Sequence, residues 1–170
     1  MEQIMARAKS HLPEGIRTVT PMLMVKNSLQ AIDWYRKAFG AEVRSVSAGP
    51  EPGSTIHAEI RIGDSAIFMA DDMPMSSTKS PSLLGGASAS IALYVPDSDA
   101  VYNRAVAAGA EVVMPIADMF WGDRYSMVKD PFGCFWAIAT HKEDVSNEEM
   151  ERRSREFFAN MGKECLPTGK

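Results

Sequence analysis

VKNSLQAIDWYRKAFGAEV, residues 25–43, and VPDSDAVYNRAVAAGAEV, residues 95–112, carry one plan twice. In the first, Asn27 and Ser28 are side chains suited to capping a helix, because a short polar oxygen can accept a free first-turn amide. Ala31, Ile32, Tyr35, Ala38 and Phe39 then recur at spacings of three and four, one apolar stripe, while Gln30, Asp33, Arg36 and Lys37 fall on the wetter side. Gly40 supplies the left-handed residue that ends such a helix. In the second stretch Asp97 or Ser98 caps, Val101, Ala105 and Ala108 share a face, and Gly109 ends the helix. Both continue as Gly-Ala-Glu-Val. Glycine ahead of a strand is common helix-to-strand grammar, so four matching residues alone would prove little. The match falls at equivalent points of two parallel element orders, which coincidence does not require.

Working outward, residues 18–25 read as a buried strand before the first helix, and 42–48, 57–62 and 65–70 as strands after it. Gly63-Asp64 between the last two is a two-residue hairpin signal with glycine first. The second helix is preceded by a strand at 89–95 and followed by strands at 111–114, 125–129 and 135–140, with Asp130-Pro131-Phe132-Gly133 as the last turn. The chain therefore divides into an arm (1–17), a first βαβββ module (18–71), a linker (72–87), a second module (88–142) and a C-terminal helix and tail (143–170), an α+β organisation. Ser146 with Glu149 forms a capping box and Val145 with Met150 a hydrophobic staple. They predict a helix over 147–161, ended by Gly162, that packs over the domain or a second subunit through Met150, Phe157 and Phe158.

Composition narrows the function classes. The 170 residues are 45% apolar, enough for a core, and the formal charge is −4 with 18 scattered basic residues, so no footprint for nucleic acid or an anionic membrane exists. No apolar run approaches the roughly 20 residues of a membrane span. Cys134 and Cys165 sit in unlike contexts that argue against a disulfide, and with twelve methionines they fit a reducing compartment, the cytoplasm. The methionines serve either as flexible core filler or as the lining of an adaptable pocket.

Several motifs resemble the glyoxalase/bleomycin-resistance/dioxygenase superfamily, the vicinal oxygen chelate proteins, and within it the PhnB-like subgroup. They are Ala31-Ile32-Asp33-Trp34-Tyr35 with Phe39-Gly40-Ala41, Ile60-Arg61-Ile62-Gly63-Asp64, Phe120-Trp121-Gly122-Asp123-Arg124-Tyr125, and Asp130-Pro131-Phe132-Gly133. The resemblance implies that the two modules form a curled eight-stranded mixed sheet, a cup around a small-molecule site. It also implies a divalent metal acting as Lewis acid or activating oxygen, held by His, Glu or Gln on the first and last strand of each module. Transferred through the flanking motifs, those four positions are Thr20, Ser90, Ala137, and Phe68 or Met69. None bears such a ligand, and two hydroxyls do not make a divalent site. The expectation is no metal and no other cofactor, unless the metal site is displaced.

Other residues are candidates for chemistry. His57, Glu59 and Arg61 alternate along one strand and share a face, either as a polar cluster with His57 and Glu59 in acid–base roles and Arg61 holding an anion, or as an outward surface. Phe120, Trp121, Arg124 and Tyr125 offer a stacking surface, a guanidinium and a phenol, either a ligand mouth or a loop anchored into its own core. Trp136 joins the ligand-binding set and Tyr125 the catalytic one. Asp71 and Asp72, adjacent on a strand, point apart and suit capping. His141 is placed at the solvent end of the final strand. Cys134 stands where the subgroup often has His, with no local base to activate it. The leading expectation is a cytoplasmic homodimer that binds a small organic ligand without metal, for sequestration or resistance. The alternative is a lyase, isomerase or dioxygenase with a displaced metal site or metal-free acid–base catalysis.

Overall fold

The computed structural model describes residues 7–164, so Cys165 lies outside the described residues. The chain parts between Gly86 and Ala87 into two compact units. In the first, β1 (Met22–Val25) leads into α1 (Ser28–Phe39), followed by β2 (Glu42–Ala48), β3 (Thr55–Ile62) and β4 (Ser65–Asp71). The sheet order is β1-β4-β3-β2, with β1 parallel to β4 and the other pairs antiparallel. In the second, β5 (Ser90–Tyr94), α3 (Ser98–Ala107), β6 (Glu111–Asp118), β7 (Asp123–Lys129) and β8 (Phe135–His141) repeat that plan as β5-β8-β7-β6. The expected α+β fold of two βαβββ modules is present, its eight strands grouped as two four-stranded mixed sheets. No helix among the described residues is long and apolar enough to cross a membrane.

The apolar stripe of α1 explains its docking. Ala31, Ile32, Tyr35, Ala38 and Phe39 are buried, as is Trp34, whose ring meets Tyr35 and Phe39 edge-on at 5.5 and 5.2 Å. Opposite them Ala58, Ile60, Ile67 and Met69 are buried, the helix-facing half of the β3 and β4 alternation. Asn27 accepts the Gln30 amide as expected, and Gly40, at φ +70°, ends the helix.

In both units the last strand caps the helix that follows the first. Asp71 accepts the Ser28 amide at 2.6 Å and, with its other oxygen, the Thr55 amide at 2.7 Å. In the second unit Thr140 does the equivalent work, accepting the Ser98 amide at 2.8 Å while donating to the Val95 carbonyl.

Several expected boundaries move for identifiable reasons. β1 starts at Met22 rather than 18, because Pro21 has no amide to donate into the ladder. Its carbonyl still accepts the Phe68 amide. The linker is more ordered than its composition suggests. Asp72 accepts the amide and hydroxyl of Ser80 at 2.7 and 2.5 Å and so starts a single helical turn, α2 (Pro81–Leu84). β6 extends to Asp118 through two irregularities in its pairing around Pro115, which an edge strand accommodates. α4 (Asn147–Glu164) runs past the expected stop at Gly162. Ser146 accepts the Glu149 amide, but the Glu149 carboxylate turns to Arg152 and Arg153, whose hydrogen bonds hold it down at about 2.

Asp71 serves two amides of residues that are wholly enclosed, Ser28 and Thr55. Replacing Asp71 with Ala leaves both donors unpaired, and the expected loss is about 2 to 4 kcal/mol of unfolding free energy in urea denaturation. Asp71→Asn keeps one acceptor and should lose less.

Candidate functional site

α3 covers one face of the second sheet. Thr140 contacts its first amide and Arg124 reaches Asp99 within it, so the residues between, Asp123, Tyr125, Ala139 and His141, face the other way. On that helix-free face Asp123 is the gathering point. Only 4% exposed, its carboxylate accepts three hydrogen bonds: from the Tyr94 hydroxyl at 2.9 Å, the Trp121 indole at 3.0 Å and His141 Nδ1 at 2.8 Å. Burial alone would raise its carboxyl, but the donors from His141, Tyr94 and Trp121 hold it below the usual carboxylate range. The same bond to Asp123, with burial, pushes the Tyr94 hydroxyl up.

Registry makes this convergence possible. Tyr94 on β5 and Tyr125 on β7 both lie opposite Ala139 on the strand between them. To reach Asp123 the Tyr94 side chain crosses β8, and the methyl of Ala139 leaves it room. Tyr94 as a whole remains 62% exposed. Trp121 stands edge-on to Tyr125 at 5.4 Å, and burial raises the Tyr125 hydroxyl.

His141 lies between two carboxylates, with Nε2 3.0 Å from Asp144 Oδ1. Ionised carboxylates only accept, so a carboxylate beside each ring nitrogen favours the doubly protonated imidazolium over either neutral tautomer. The bonds to Asp123 first and Asp144 second raise its pKa. This pairing was missed in the sequence, although a signal existed. Equal steps back from Lys129 and on from Phe135, across the Asp130 turn, bring Asp123 opposite His141.

The loop before β7 is held tightly. Gly122, at φ +95°, offers its carbonyl to the amides of Lys142 and Glu143, and Phe120 packs beneath α4 against Phe157 at 5.3 Å. Phe120 and Trp121 are thus anchored within this unit, Trp121 at the edge of the site. Arg124 belongs to the opposite face, where Asp99 grips it in a two-pronged ion pair at 2.9 and 3.0 Å with Asp118 alongside. Trp136 is wholly buried and donates to Asp130, which also accepts the amides of Phe132 and Cys134. It pins the turn from inside the core, and Cys134 is buried with it.

His57, Glu59 and Arg61 lie in the first unit on the face away from α1, as their alternation implied. His57 meets the Phe68 ring edge-on at 5.0 Å, and Arg61 donates to the Gly63 carbonyl of its own hairpin. Phe68 lies opposite Glu59 on this face, whereas Met69 is in the core, so of the two residues offered for the fourth transferred position Phe68 is the one on this face. Thr20 donates its hydroxyl to the Arg17 carbonyl in the approach to β1. Threonine, phenylalanine, serine and alanine provide no carboxylate or imidazole. Among the described residues no three or more His, Cys, Asp or Glu side chains cluster to hold a metal. The four side chains at the transferred positions do not fit a divalent ion.

Comparison with known proteins places this geometry. Residues 17–138 match the family model of the Glyoxalase/Bleomycin resistance protein/Dioxygenase superfamily. An uncharacterised Mycobacterium bovis protein is 39% identical over 136 residues, 78% of this chain and 89% of that one. Among solved structures, a Pseudomonas aeruginosa protein superposes with a TM-score of 0.60 at 25% identity, over 75% of this chain and 99% of its own. The PhnB protein of Bacillus cereus has a TM-score of 0.59 at 18% identity, over 73% and 99%, a likeness of fold. The chain belongs to the Glyoxalase/Bleomycin resistance protein/Dioxygenase superfamily.

A Cβ on Gly122 would meet the Glu143 carbonyl and the Val145 side chain. Gly122→Ala is therefore expected to lower stability by about 2 kcal/mol or more, read by thermal or urea denaturation. His141 makes a pH-dependent contribution. With its pKa raised in the folded protein, the stability it adds is fully present below its unfolded value of about 6.5 and is lost as pH rises through the folded value. The stability gap between wild type and His141→Gln should therefore shrink on going from pH 6 to pH 9. A gap that widens over that range would contradict the assignment.

Proposed function

We propose that the chain binds a small planar organic compound on the helix-free face of its second unit, without the divalent metal used elsewhere in its superfamily. The carrying observation is Tyr94. A large aromatic residue that stays 62% exposed, yet has its hydroxyl fixed to a buried carboxylate, is a rigid stacking platform rather than a loose surface side chain. Trp121 and Tyr125 extend the aromatic surface, and His141 adds the cation. The donor-poor set Thr20, Phe68, Ser90 and Ala137 supports binding by contact rather than by chelation. Sequestration of a harmful compound, the sense of "resistance" in the superfamily's description, needs only such affinity.

The His141–Asp123 pair favours a second reading, a metal-free acid–base catalyst. A buried carboxylate that orients an imidazolium is an arrangement for delivering a proton. Turnover of a bound compound that disappears in His141→Gln would select it over sequestration.

A thermal-shift screen with planar aromatic compounds tests the main reading, since a ligand at one hundred times its dissociation constant adds about 2.7 kcal/mol of stability. Tyr94→Ala should weaken any hit by about tenfold, the stacking contribution of one ring, while chelator treatment leaves the shift unchanged. Stoichiometric zinc, nickel, manganese or iron whose removal abolishes the shift would overturn the metal-free reading.

A further inference from the structure

The two carboxylates on His141 are unequal. Asp123 is buried, sits on a strand and holds three donors at once. Asp144 is fully exposed, lies in the connection between β8 and α4, and among the described residues its carboxylate meets only His141. It nevertheless occupies the outer nitrogen of the imidazolium, beside the exposed aromatic face. Tyr94 and His141 bond to the two oxygens of one Asp123 carboxylate, at 2.9 and 2.8 Å. A ring stacked on Tyr94 thus has His141 Nε2 within reach of a short acidic substituent.

We propose that Asp144 is a placeholder for the ligand's own carboxylate, so that the site takes planar aromatic acids whose anionic group displaces Asp144 from His141 Nε2. The inference rests on the aromatic-face reading above and names its ligand class. Exchange suits the physics of the pair. An ion pair between exposed side chains is weak and screened by salt, so releasing Asp144 costs little, and the incoming carboxylate re-forms the same charge-assisted bond. Asp123 remains in place throughout and keeps the imidazole charged and oriented. A neutral aromatic compound gains the stacking but leaves Asp144 where it is.

The probes are 2-naphthoate and its neutral counterpart 2-naphthamide, titrated calorimetrically against the full chain. Wild type is expected to prefer the acid, and His141→Gln to remove the preference. Asp144→Asn should tighten the acid by up to about fivefold, the strength of one exposed ion pair, and leave the amide unchanged. Glu148→Gln removes an exposed charge four residues further along the chain from Asp144 and should alter neither probe. Equal gains from Asp144→Asn and Glu148→Gln would reduce the effect to general charge and overturn the placeholder, as would an unchanged or weaker acid in Asp144→Asn. Acid and amide bound alike, both weakened by Tyr94→Ala, would overturn the anion assignment while the aromatic face stands. Binding that ignores Tyr94, or no binding of the acid at millimolar concentration, would overturn both.

Discussion

The parallel pairing of the first and last strand in each module, locked by a polar cap at the helix between them, is the constraint on which the remaining structure depends. A parallel pair cannot be closed by a tight turn; it needs a crossover, and here that crossover is a helix and two further strands. The join is expensive to leave unsatisfied because the first helical amides have no partner inside the helix. Asp71 supplies one in the first unit and Thr140 in the second; Asp71 lies opposite Val25 at the end of β1, and Thr140 bonds the carbonyl of Val95, the residue that follows β5. One side chain therefore fixes strand, helix and return strand together.

With one face of each sheet committed to a helix, alternation along the strands leaves the other face available. In the second unit that face combines small residues on the central strand β8, Ala137 and Ala139, with larger ones on its neighbours, Tyr94, Tyr125 and Met127. The size difference is what lets Tyr94 cross to Asp123. A bulky residue at Ala139 would block the crossing and unpair the Tyr94 hydroxyl from a buried carboxylate, so this alanine shapes the site without contributing a polar atom.

The fold was legible because its signals are local. A stripe at helical spacing, a left-handed glycine and the repeated Gly-Ala-Glu-Val locate strand, helix and strand with few alternatives, and Gly40 and Gly109 take the positive φ that reading requires. Boundaries were less legible where a single residue overrides a pattern, as Pro21 does for β1, or where a side chain far along the chain orders a polar stretch, as Asp72 does for Ser80. The candidate site was least legible because it depends on registry. Nothing in the neighbourhood of His141 announces Asp123. Trp136 and Arg124 looked like ligand contacts because large aromatic and cationic residues serve both recognition and structure, and only their partners, Asp130 and Asp99, separate the two.

The duplication also separates residues that build the fold from those free to vary. Asp71 and Thr140 occupy the same place in the two modules, so the residues that follow, Asp72 and His141, are equivalent as well. Each comes just after the cap is complete, where the fold imposes no further demand. The first module spends that freedom on ordering the linker, through Asp72 and Ser80; the second places an imidazole against Asp123 at the edge of an aromatic face. One backbone position has thus been put to two uses, and function in this chain is best sought at such rim positions, where the twin modules share geometry and differ in chemistry.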